Sequence, residues 1–295
     1  MQTVTRRQFV KTAAALPIVG AAAPWSRQTV SGSRVRLSCN LYSFNSVLRS
    51  GEMSLDEVIE FCAALGFDAV DPTGYYFGTY PKVPPPEYTH EIKRKSFLLG
   101  LDISGTGVRN DFTQPDAGAR ARDIEHVKRW IPFAARLGAP VLRVFAGSED
   151  IGEASRTAAT KWLVDALREC ADVASNYGVM IVLQNHAEFL KTADQVISVL
   201  EAVDSEWLGL NLDIGSFPTD RPYDDIARAA PYAVTWQIKE NVHRGSQREP
   251  TDLEMIAQIV ADADYRGYLP IETLGPGDPR RQVPRFLDEV RTALS

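Results

Sequence analysis

Four polar side chains end short apolar runs in the second half of the chain, and their types suit a bound cation. They are Gln184, Asp213, Gln237 and Glu272. A polar side chain on an apolar strand costs free energy unless it is satisfied, so four such ends suggest a shared site. The alternative is that each side chain bonds to a nearby loop. Two carboxylates and two amide oxygens suit a divalent ion such as Mg²⁺ or Mn²⁺, and Zn²⁺ is less favoured because no imidazole or thiolate is among the four.

The elements that must position these side chains alternate along the chain from Val35 onward. Short apolar runs predict eight strands, at 35–41, 68–71, 101–104, 141–145, 179–184, 208–212, 234–238 and 268–271. Amphipathic runs predict eight helices, at 54–66, 89–99, 119–137, 153–177, 192–203, 223–230, 252–262 and 284–294. Alternation of this kind favours a parallel sheet with right-handed crossovers. Eight units in roughly 260 residues predict an α/β fold, a single (β/α)₈ TIM barrel.

Composition excludes several classes of protein. The chain has 295 residues and a net charge of -6, which argues against a nucleic-acid-binding surface. No run of about 18 apolar residues is present, so we expect no membrane span. The three Cys are widely spaced and form neither a disulfide framework nor a CxxC site. No GxGxxG follows the first strand, so a dinucleotide-binding fold has no support.

The N-terminal segment is predicted to be an export signal rather than part of the fold. Arg6 and Arg7 precede Phe9, and a short Ala-rich apolar run and small residues follow. This pattern resembles a twin-arginine signal and predicts a periplasmic or otherwise exported protein. We therefore divide the chain into a signal peptide (1–24), a tether (25–34) and the barrel (35–295).

Five segments carry a resemblance to a known family. They are Leu-Gly-Phe-Asp-Ala-Val-Asp (65–71), Ile-Val-Leu-Gln-Asn-His (181–186), Gly-Leu-Asn-Leu-Asp-Ile-Gly (209–215), Trp-Gln-Ile-Lys-Glu (236–240) and Gly-Tyr-Leu-Pro-Ile-Glu-Thr (267–273). Over residues 35–294 the chain resembles the xylose isomerase-like TIM barrels, often labelled sugar phosphate isomerase/epimerase. The resemblance implies a small-molecule carbohydrate substrate, a possible homo-oligomer, and one divalent metal ion, Mn²⁺ or Mg²⁺ before Co²⁺ or Zn²⁺.

Two departures from the family's metal ligands matter for the chemistry. The family uses Glu, Asp, His and Glu at the ends of strands five to eight, which match Gln184, Asp213, Gln237 and Glu272. Glutamine thus replaces the first Glu and the His. Gln184 cannot exchange a proton at neutral pH, which weakens an epimerisation that uses two carboxylates on opposite faces of the substrate.

The resemblance implies enolisation, in which a base removes a proton next to a carbonyl. Glu272 is the first candidate base, Lys239 the second and His186 the third. We expect an isomerase or epimerase that acts through an enediolate. A lyase or hydratase acting on 3-keto-glycosides, a dehydratase and a non-catalytic sugar-binding barrel are the alternatives. Export favours free sugars or keto-sugars over sugar phosphates.

Further strand-end residues are candidates for contact with the substrate, namely Asn40, Asp71, Arg143, Trp236, Glu240 and His243. Arg143 either orients a hydroxyl or an anionic group, or pairs with Asp71. Trp236 either forms an apolar wall against a sugar face or belongs to the core. His243 either reaches the substrate or faces water.

Overall fold

Strands and helices alternate through the described residues, 35–186 and 188–295, of the computed structural model. The strands are β1 (Arg36–Asn40), β2 (Ala69–Asp71), β3 (Asp102–Ile103), β4 (Thr106–Gly107), β5 (Val141–Phe145), β6 (Met180–Gln184), β7 (Leu208–Asp213), β8 (Ala233–Lys239), β9 (Asn241–Arg244), β10 (Gln247–Pro250) and β11 (Tyr268–Glu272). The helices are α1 (Asn45–Ser50), α2 (Leu55–Ala64), α3 (Pro86–Leu98), α4 (Ala117–Leu137), α5 (Arg156–Ser175), α6 (Ala193–Val203), α7 (Pro222–Ala229), α8 (Leu253–Asp262) and α9 (Pro279–Leu294). The predicted signal and tether, 1–34, lie outside the described residues.

Nine of these strands form one parallel sheet that nearly closes into a barrel. Its order is β3-β2-β1-β11-β8-β7-β6-β5-β4. The two end strands, β3 and β4, are joined by only Ser104 and Gly105, so together they fill the third of the eight strand positions. The predicted (β/α)₈ TIM barrel is therefore confirmed, with its third strand split in two.

Alternation along the strands separates an apolar outer face from a polar interior. Paired residues on neighbouring parallel strands share a face, and one such outer row runs through Val144, Leu183 and Leu210, all fully buried. The row beside it runs through Phe145, Gln184, Asn211 and Thr235. The outer side chains pack against the helices, and the interior collects the polar groups at the carboxyl ends of the strands.

Helix ends follow the capping signals in the sequence. Ser54 and Glu57 form a reciprocal capping box at the start of α2, whose buried face carries apolar side chains such as Val58 and Ile59. Helix α9 begins at Pro279, five residues before the predicted start, because the Asp278 side chain accepts a hydrogen bond from the backbone N–H of Arg280. Proline is tolerated in a first helical turn, where its missing N–H has no partner to lose.

Three features of the fold were not predicted. Helix α1 and the antiparallel β9–β10 hairpin lie in segments without a clear apolar period. Helix α3 begins at Pro86, three residues before the predicted start at 89, so Thr89 lies within the helix. Within the described residues, none of the helices is both long and apolar enough to cross a membrane.

Candidate active site

The four predicted oxygen donors lie together at the carboxyl ends of four consecutive strands of the barrel. Gln184 ends β6, Asp213 ends β7, Gln237 lies in β8, and Glu272 ends β11. Asp213 is paired directly with Gln237, and each of the four is at most 4% exposed. Gln184 Nε2 donates a 2.7 Å hydrogen bond to Asp213 Oδ2. The strand register thus brings the whole predicted set to one point.

Lys239 places a positive charge between the two carboxylates of this set. Its Nζ lies 2.8 Å from Asp213 Oδ2 and 3.1 Å from Glu272 Oε2. Burial disfavours the charge of the ammonium, but the two carboxylates outweigh it and raise the pKa of Lys239 above its ordinary value. Lys239 is therefore a cation in this arrangement. Glu272 Oε1 has no hydrogen-bond partner among the described residues, which leaves it the freer oxygen of that carboxylate.

Backbone and amide groups fix Asp213 in this position. Asn185 exchanges two hydrogen bonds with the Asp213 backbone, at 2.8 and 2.9 Å. The backbone N–H of Gly215 donates to Asp213 Oδ1 at 3.0 Å. On the neighbouring strand, Asn211 Nδ2 donates to Gln237 Oε1 at 3.3 Å. The buried carboxylate thus meets donors or a cation at both oxygens, as burial of a charge requires.

His186 lies beside this cluster, just beyond the end of β6. Its ring meets Phe145 edge-on at 4.8 Å, and its Nδ1 is 3.5 Å from Glu188 Oε1 without forming a hydrogen bond. Burial lowers the pKa of His186, and the charge of Asp213 opposes that effect. The imidazole is therefore neutral at neutral pH and carries one proton that it can donate.

Arg143 and Asp71 lie on the other side of the barrel interior and do not form an ion pair. Arg143 is 7% exposed, and its Nη1 donates to Tyr75 Oη at 3.2 Å and to the Val108 carbonyl at 3.4 Å. Burial raises the pKa of Asp71 to about 6, although Arg143 lowers it; Glu272 raises it further. No carboxylate oxygen of a described residue lies within 4.0 Å of the Arg143 nitrogens.

The other residues that we predicted to contact the substrate interact with neighbouring parts of the protein. One of them, Trp236, faces away from the cluster. Asn40 caps the following turn by accepting from the Tyr42 N–H, and His243 Nδ1 lies 2.8 Å from the Gly215 carbonyl. Glu240 accepts from the backbone N–H groups of Leu274 and Gly275. Trp236 is fully buried on the outer face of β8, with its ring 5.8 Å from that of Tyr265. The structure therefore does not bring Trp236 to the cluster.

Comparison with protein families decides where the chain belongs. The family model described as xylose isomerase-like TIM barrel matches residues 59–290 of this chain. The chain belongs to the xylose isomerase-like TIM barrel family. No curated protein sequence matches the chain significantly.

Solved structures share the family fold at low sequence identity. D-psicose 3-epimerase from Clostridium cellulolyticum H10, solved with D-tagatose, is 16% identical, with a TM-score of 0.72 over 88% of this chain and 100% of that one. The apo form of 3-keto-D-glucoside 4-epimerase from E. coli is 15% identical, with a TM-score of 0.68 over 88% and 99%. The IOLI protein with a bound zinc atom is 16% identical, with a TM-score of 0.70 over 88% and 99%. At these identities the likeness concerns the fold.

The donor set of this family member fits a divalent cation by its chemistry. Within 35–186 and 188–295, no three His, Cys, Asp or Glu side chains are grouped to hold a metal ion, because two of the four positions carry amides. Amide and carboxylate oxygens are nonetheless suitable ligands for Mg²⁺ and Mn²⁺. The Lys239 ammonium between Asp213 and Glu272 shows that these two carboxylates accommodate a positive charge together.

Sequence reasoning missed several residues of the site. Asn211 lies two residues before Asp213, on the same face, so strand alternation was sufficient to find it. Phe145 was missed as well, although it lies two residues after the predicted Arg143 on the same face of β5. Gly215 leaves space for the side chain of Lys239, because a Cβ there would lie 2.8 Å from Lys239 Cδ. Such a close approach has no signal in the sequence.

Proposed function

We propose that the chain is a divalent-metal-dependent sugar isomerase or epimerase that acts through an enediolate on a free sugar or keto-sugar. The observation that carries the proposal is the pair of buried carboxylates, Asp213 and Glu272, that together face one positive charge at the carboxyl ends of the strands. Active sites of this type of barrel lie at that end. Family membership and the sugar epimerases among the solved neighbours support the same reaction class.

Asp213, Glu272, Gln184 and Gln237 would hold the metal ion. A bound divalent ion supplies Lewis acidity, which stabilises the negative charge that develops on a carbonyl oxygen and its neighbouring hydroxyl. Such a site also holds the sugar in one orientation, so that a single C–H bond points to the base.

Glu272 is the proposed general base. Oε2 is held by Lys239, and Oε1 is the oxygen that receives the proton from the carbon next to the carbonyl. The same oxygen then returns the proton to the neighbouring carbon, which interconverts an aldose and a ketose. Lys239 keeps the carboxylate ionised and oriented during both transfers.

His186 is the proposed carrier of the second proton. Its neutral imidazole can donate a proton to the former carbonyl oxygen and accept one from the adjacent hydroxyl. Gln184 stands where the family uses a second Glu and cannot exchange a proton. The proposal therefore favours proton return by the same residue, which gives isomerisation, over return from the opposite face.

Metal content and isotope exchange test this proposal together. The chain is purified without chelator beside Asp213→Ala and Glu272→Gln, and free and 3-keto sugars are followed by NMR in D₂O. We expect about one Mn²⁺ or Mg²⁺ per wild-type chain, and deuterium incorporation next to the carbonyl that is lost in Glu272→Gln.

Three other outcomes would redirect the assignment. Loss or gain of water with 3-keto-glycosides would support a lyase or hydratase instead. Sugar binding without metal, even after Mn²⁺ is added, would overturn the enolising mechanism in favour of a non-catalytic sugar-binding barrel. Metal binding without exchange on any sugar would leave the metal site but contradict the isomerase.

The proposed place of action is outside the cytoplasm. The basis is Arg6 and Arg7 before an apolar run, a pattern in residues outside the described part of the chain. An exported enzyme meets free sugars and keto-sugars rather than sugar phosphates, which agrees with the substrate class proposed here.

A further inference from the structure

Arg143 is a buried cation without an anionic partner among the described residues. Its exposed fraction is 7%. Of its nitrogen atoms only Nη1 donates hydrogen bonds to described residues, and the acceptors are the neutral Tyr75 Oη and the Val108 carbonyl. Asp71 and Glu272 are the acidic groups whose charges act on it, but neither lies within ion-pair distance. Buried charges in proteins are normally paired, because removing an ion from water is energetically costly. Tyr75 and the more distant charges of Asp71 and Glu272 raise the pKa of Arg143 despite its burial, but no carboxylate of a described residue bonds to it directly.

The guanidinium lies in a slot lined by Gly107 and the ring of Phe145. A Cβ at Gly107 would fall 2.6–2.7 Å from Arg143 Cζ, Nη2 and Nε, so only glycine leaves room for this face of the group. The Phe145 ring lies 4.5 Å from Arg143 Cζ. A planar guanidinium can fit beside a glycine and an aromatic ring in a way that the compact ammonium of lysine cannot reproduce.

The edge of the guanidinium that carries Nε and Nη2 remains unused. Neither atom donates a hydrogen bond to a described residue. These two N–H groups form the fork that matches the two oxygens of a carboxylate. A flat, planar anion is thus the ligand that completes the arrangement.

Further basic groups surround the same aromatic ring. Arg109 lies 4.8 Å from the centroid of Phe145, and the His186 ring meets it edge-on at 4.8 Å. Arg109 is half exposed and is paired with Glu188 at 3.2 Å, so its charge is already balanced. Arg143 is the cation of this corner that has no direct carboxylate partner among the described residues. Because Phe145 is paired with Gln184 across the sheet, the corner adjoins the proposed catalytic cluster.

We propose that Arg143 binds a carboxylate of the substrate, so that the barrel acts on a sugar acid, such as a hexuronate or a keto-aldonate, rather than on a neutral sugar. This inference rests on the proposed function, since it assigns the substrate class of the same site. A phosphate dianion is a poorer match, because the slot offers one planar fork and Arg143 is its one cation without a direct carboxylate partner among the described residues.

Calorimetric titration with three probes tests the inference without requiring turnover. The probes are D-glucuronate, D-glucose and D-glucose 6-phosphate, and the proteins are the wild type, Arg143→Gln and Arg143→Lys. Arg122→Gln is the matched control, because it removes an exposed arginine on α4. We expect D-glucuronate to bind the wild type and the control at least about tenfold more tightly than D-glucose. Arg143→Gln should abolish that preference, and Arg143→Lys should restore only part of it.

The dependence on Arg143 is the criterion, because a carboxylate can also bind a metal ion. Melting temperatures of the variants show whether each is folded, and Arg143→Lys keeps the charge if Arg143→Gln does not fold. Equal affinity for D-glucuronate and D-glucose in the wild type would overturn the inference, as would a preference that survives Arg143→Gln. Tighter, Arg143-dependent binding of D-glucose 6-phosphate would overturn it in favour of a phosphate.

The two proposals fail in different ways. Isotope exchange on neutral sugars without a preference for D-glucuronate would leave the proposed isomerase standing and remove the carboxylate site. Arg143-dependent binding of D-glucuronate without exchange on any sugar would leave the carboxylate site standing and remove the isomerase.

Discussion

Lys239 Nζ lies 2.8 Å from Asp213 Oδ2, and this ion pair joins β8 to β7 inside the barrel. The same ammonium reaches Glu272 on β11, so one side chain connects three neighbouring strands. Asp213 is fully buried and Lys239 nearly so, which makes each dependent on the other for its charge. The pair therefore bears on the stability of the fold as well as on the chemistry of the site.

Lys239→Met is expected to destabilise the protein and to make its stability depend on added cation. Removing one member of a buried ion pair costs about 3–5 kcal/mol, because the carboxylates are left uncompensated. Mn²⁺ should recover part of that loss by supplying positive charge to Asp213 and Glu272. Urea unfolding with and without Mn²⁺ measures both effects.

Lys161→Met is the control for this change. Lys161 is 73% exposed and pairs with Asp165 one helical turn away, so its loss should cost no more than about 0.5 kcal/mol. A Lys239→Met protein that is as stable as the wild type, or that gains nothing from Mn²⁺, would contradict the proposed role of the two carboxylates.

Gly215→Ala should disturb the same ion pair from the other side. A Cβ at position 215 would lie 2.8 Å from Lys239 Cδ and 3.0 Å from the Asn241 carbonyl, so the lysine stem must move. Overpacking of this kind costs about 1–3 kcal/mol, and a displaced Lys239 no longer orients Glu272. Thermal unfolding and isotope exchange check the two consequences.

Gly78→Ala provides the comparison for this glycine. Gly78 is exposed, and a Cβ there would meet nothing within 4 Å. Its stability and exchange rate should match those of the wild type. Equal behaviour of the two alanine variants would show that Lys239 does not need the space at Gly215.

The sequence predicts the donors of this site better than it predicts their partners. Asp213 and Glu272 were identified because a charged residue at the end of an apolar strand is costly without a function. The Lys239 ion pairs were not, because a long side chain reaches across strands only once the sheet has closed. For Trp236 the sequence left two roles open, and strand alternation decides between them: it adjoins Gln237, so it points to the opposite face and packs in the core.

Gln184→Glu is expected to strengthen metal binding and to open the route to epimerisation. The change adds a third carboxylate beside Asp213 and supplies the acid–base group that the wild type lacks at this position. We expect the Kd for Mn²⁺ to fall by roughly tenfold, since hard cations prefer charged oxygen ligands. Calorimetry gives the Kd, and NMR of the products in D₂O shows inversion at the exchanged carbon.

Gln237→Glu separates the effect of adding a negative charge from the effect of where that charge is placed. It also places a third carboxylate in the cluster, but on β8 beside Asn211. It should tighten Mn²⁺ binding without producing epimers. Equal product mixtures from both variants would argue that the position of Gln184 has no special role.

Arg6→Lys with Arg7→Lys should prevent export through the twin-arginine pathway. That pathway reads the arginine pair itself, so lysines of equal charge do not replace it. Cell fractionation should find the wild-type protein in the periplasm and the double variant in the cytoplasm. A periplasmic double variant would point to another export route, and a cytoplasmic wild type would remove the export proposal.

Asp71→Asn should stabilise the protein at neutral pH and not in acid. Burial raises the pKa of Asp71 from 3.8 to about 6, so between these values the folded chain binds more protons than the unfolded chain. The contribution of Asp71 to the free energy of unfolding therefore falls as the pH rises from about 4 to about 6, and it is constant above that. The substitution removes this contribution, which amounts to roughly 1–3 kcal/mol.

Urea unfolding of both proteins between about pH 4 and pH 7 measures the difference, because groups that do not interact with Asp71 contribute equally to both proteins. Asp288→Asn, at a 79% exposed side chain of α9, is the surface control for the change from carboxylate to amide. If the gain from Asp71→Asn were the same at every pH, Asp71 would titrate as an ordinary surface carboxyl. A gain that grows with pH would establish that burial in the barrel interior outweighs the stabilising charge of Arg143 on this carboxyl.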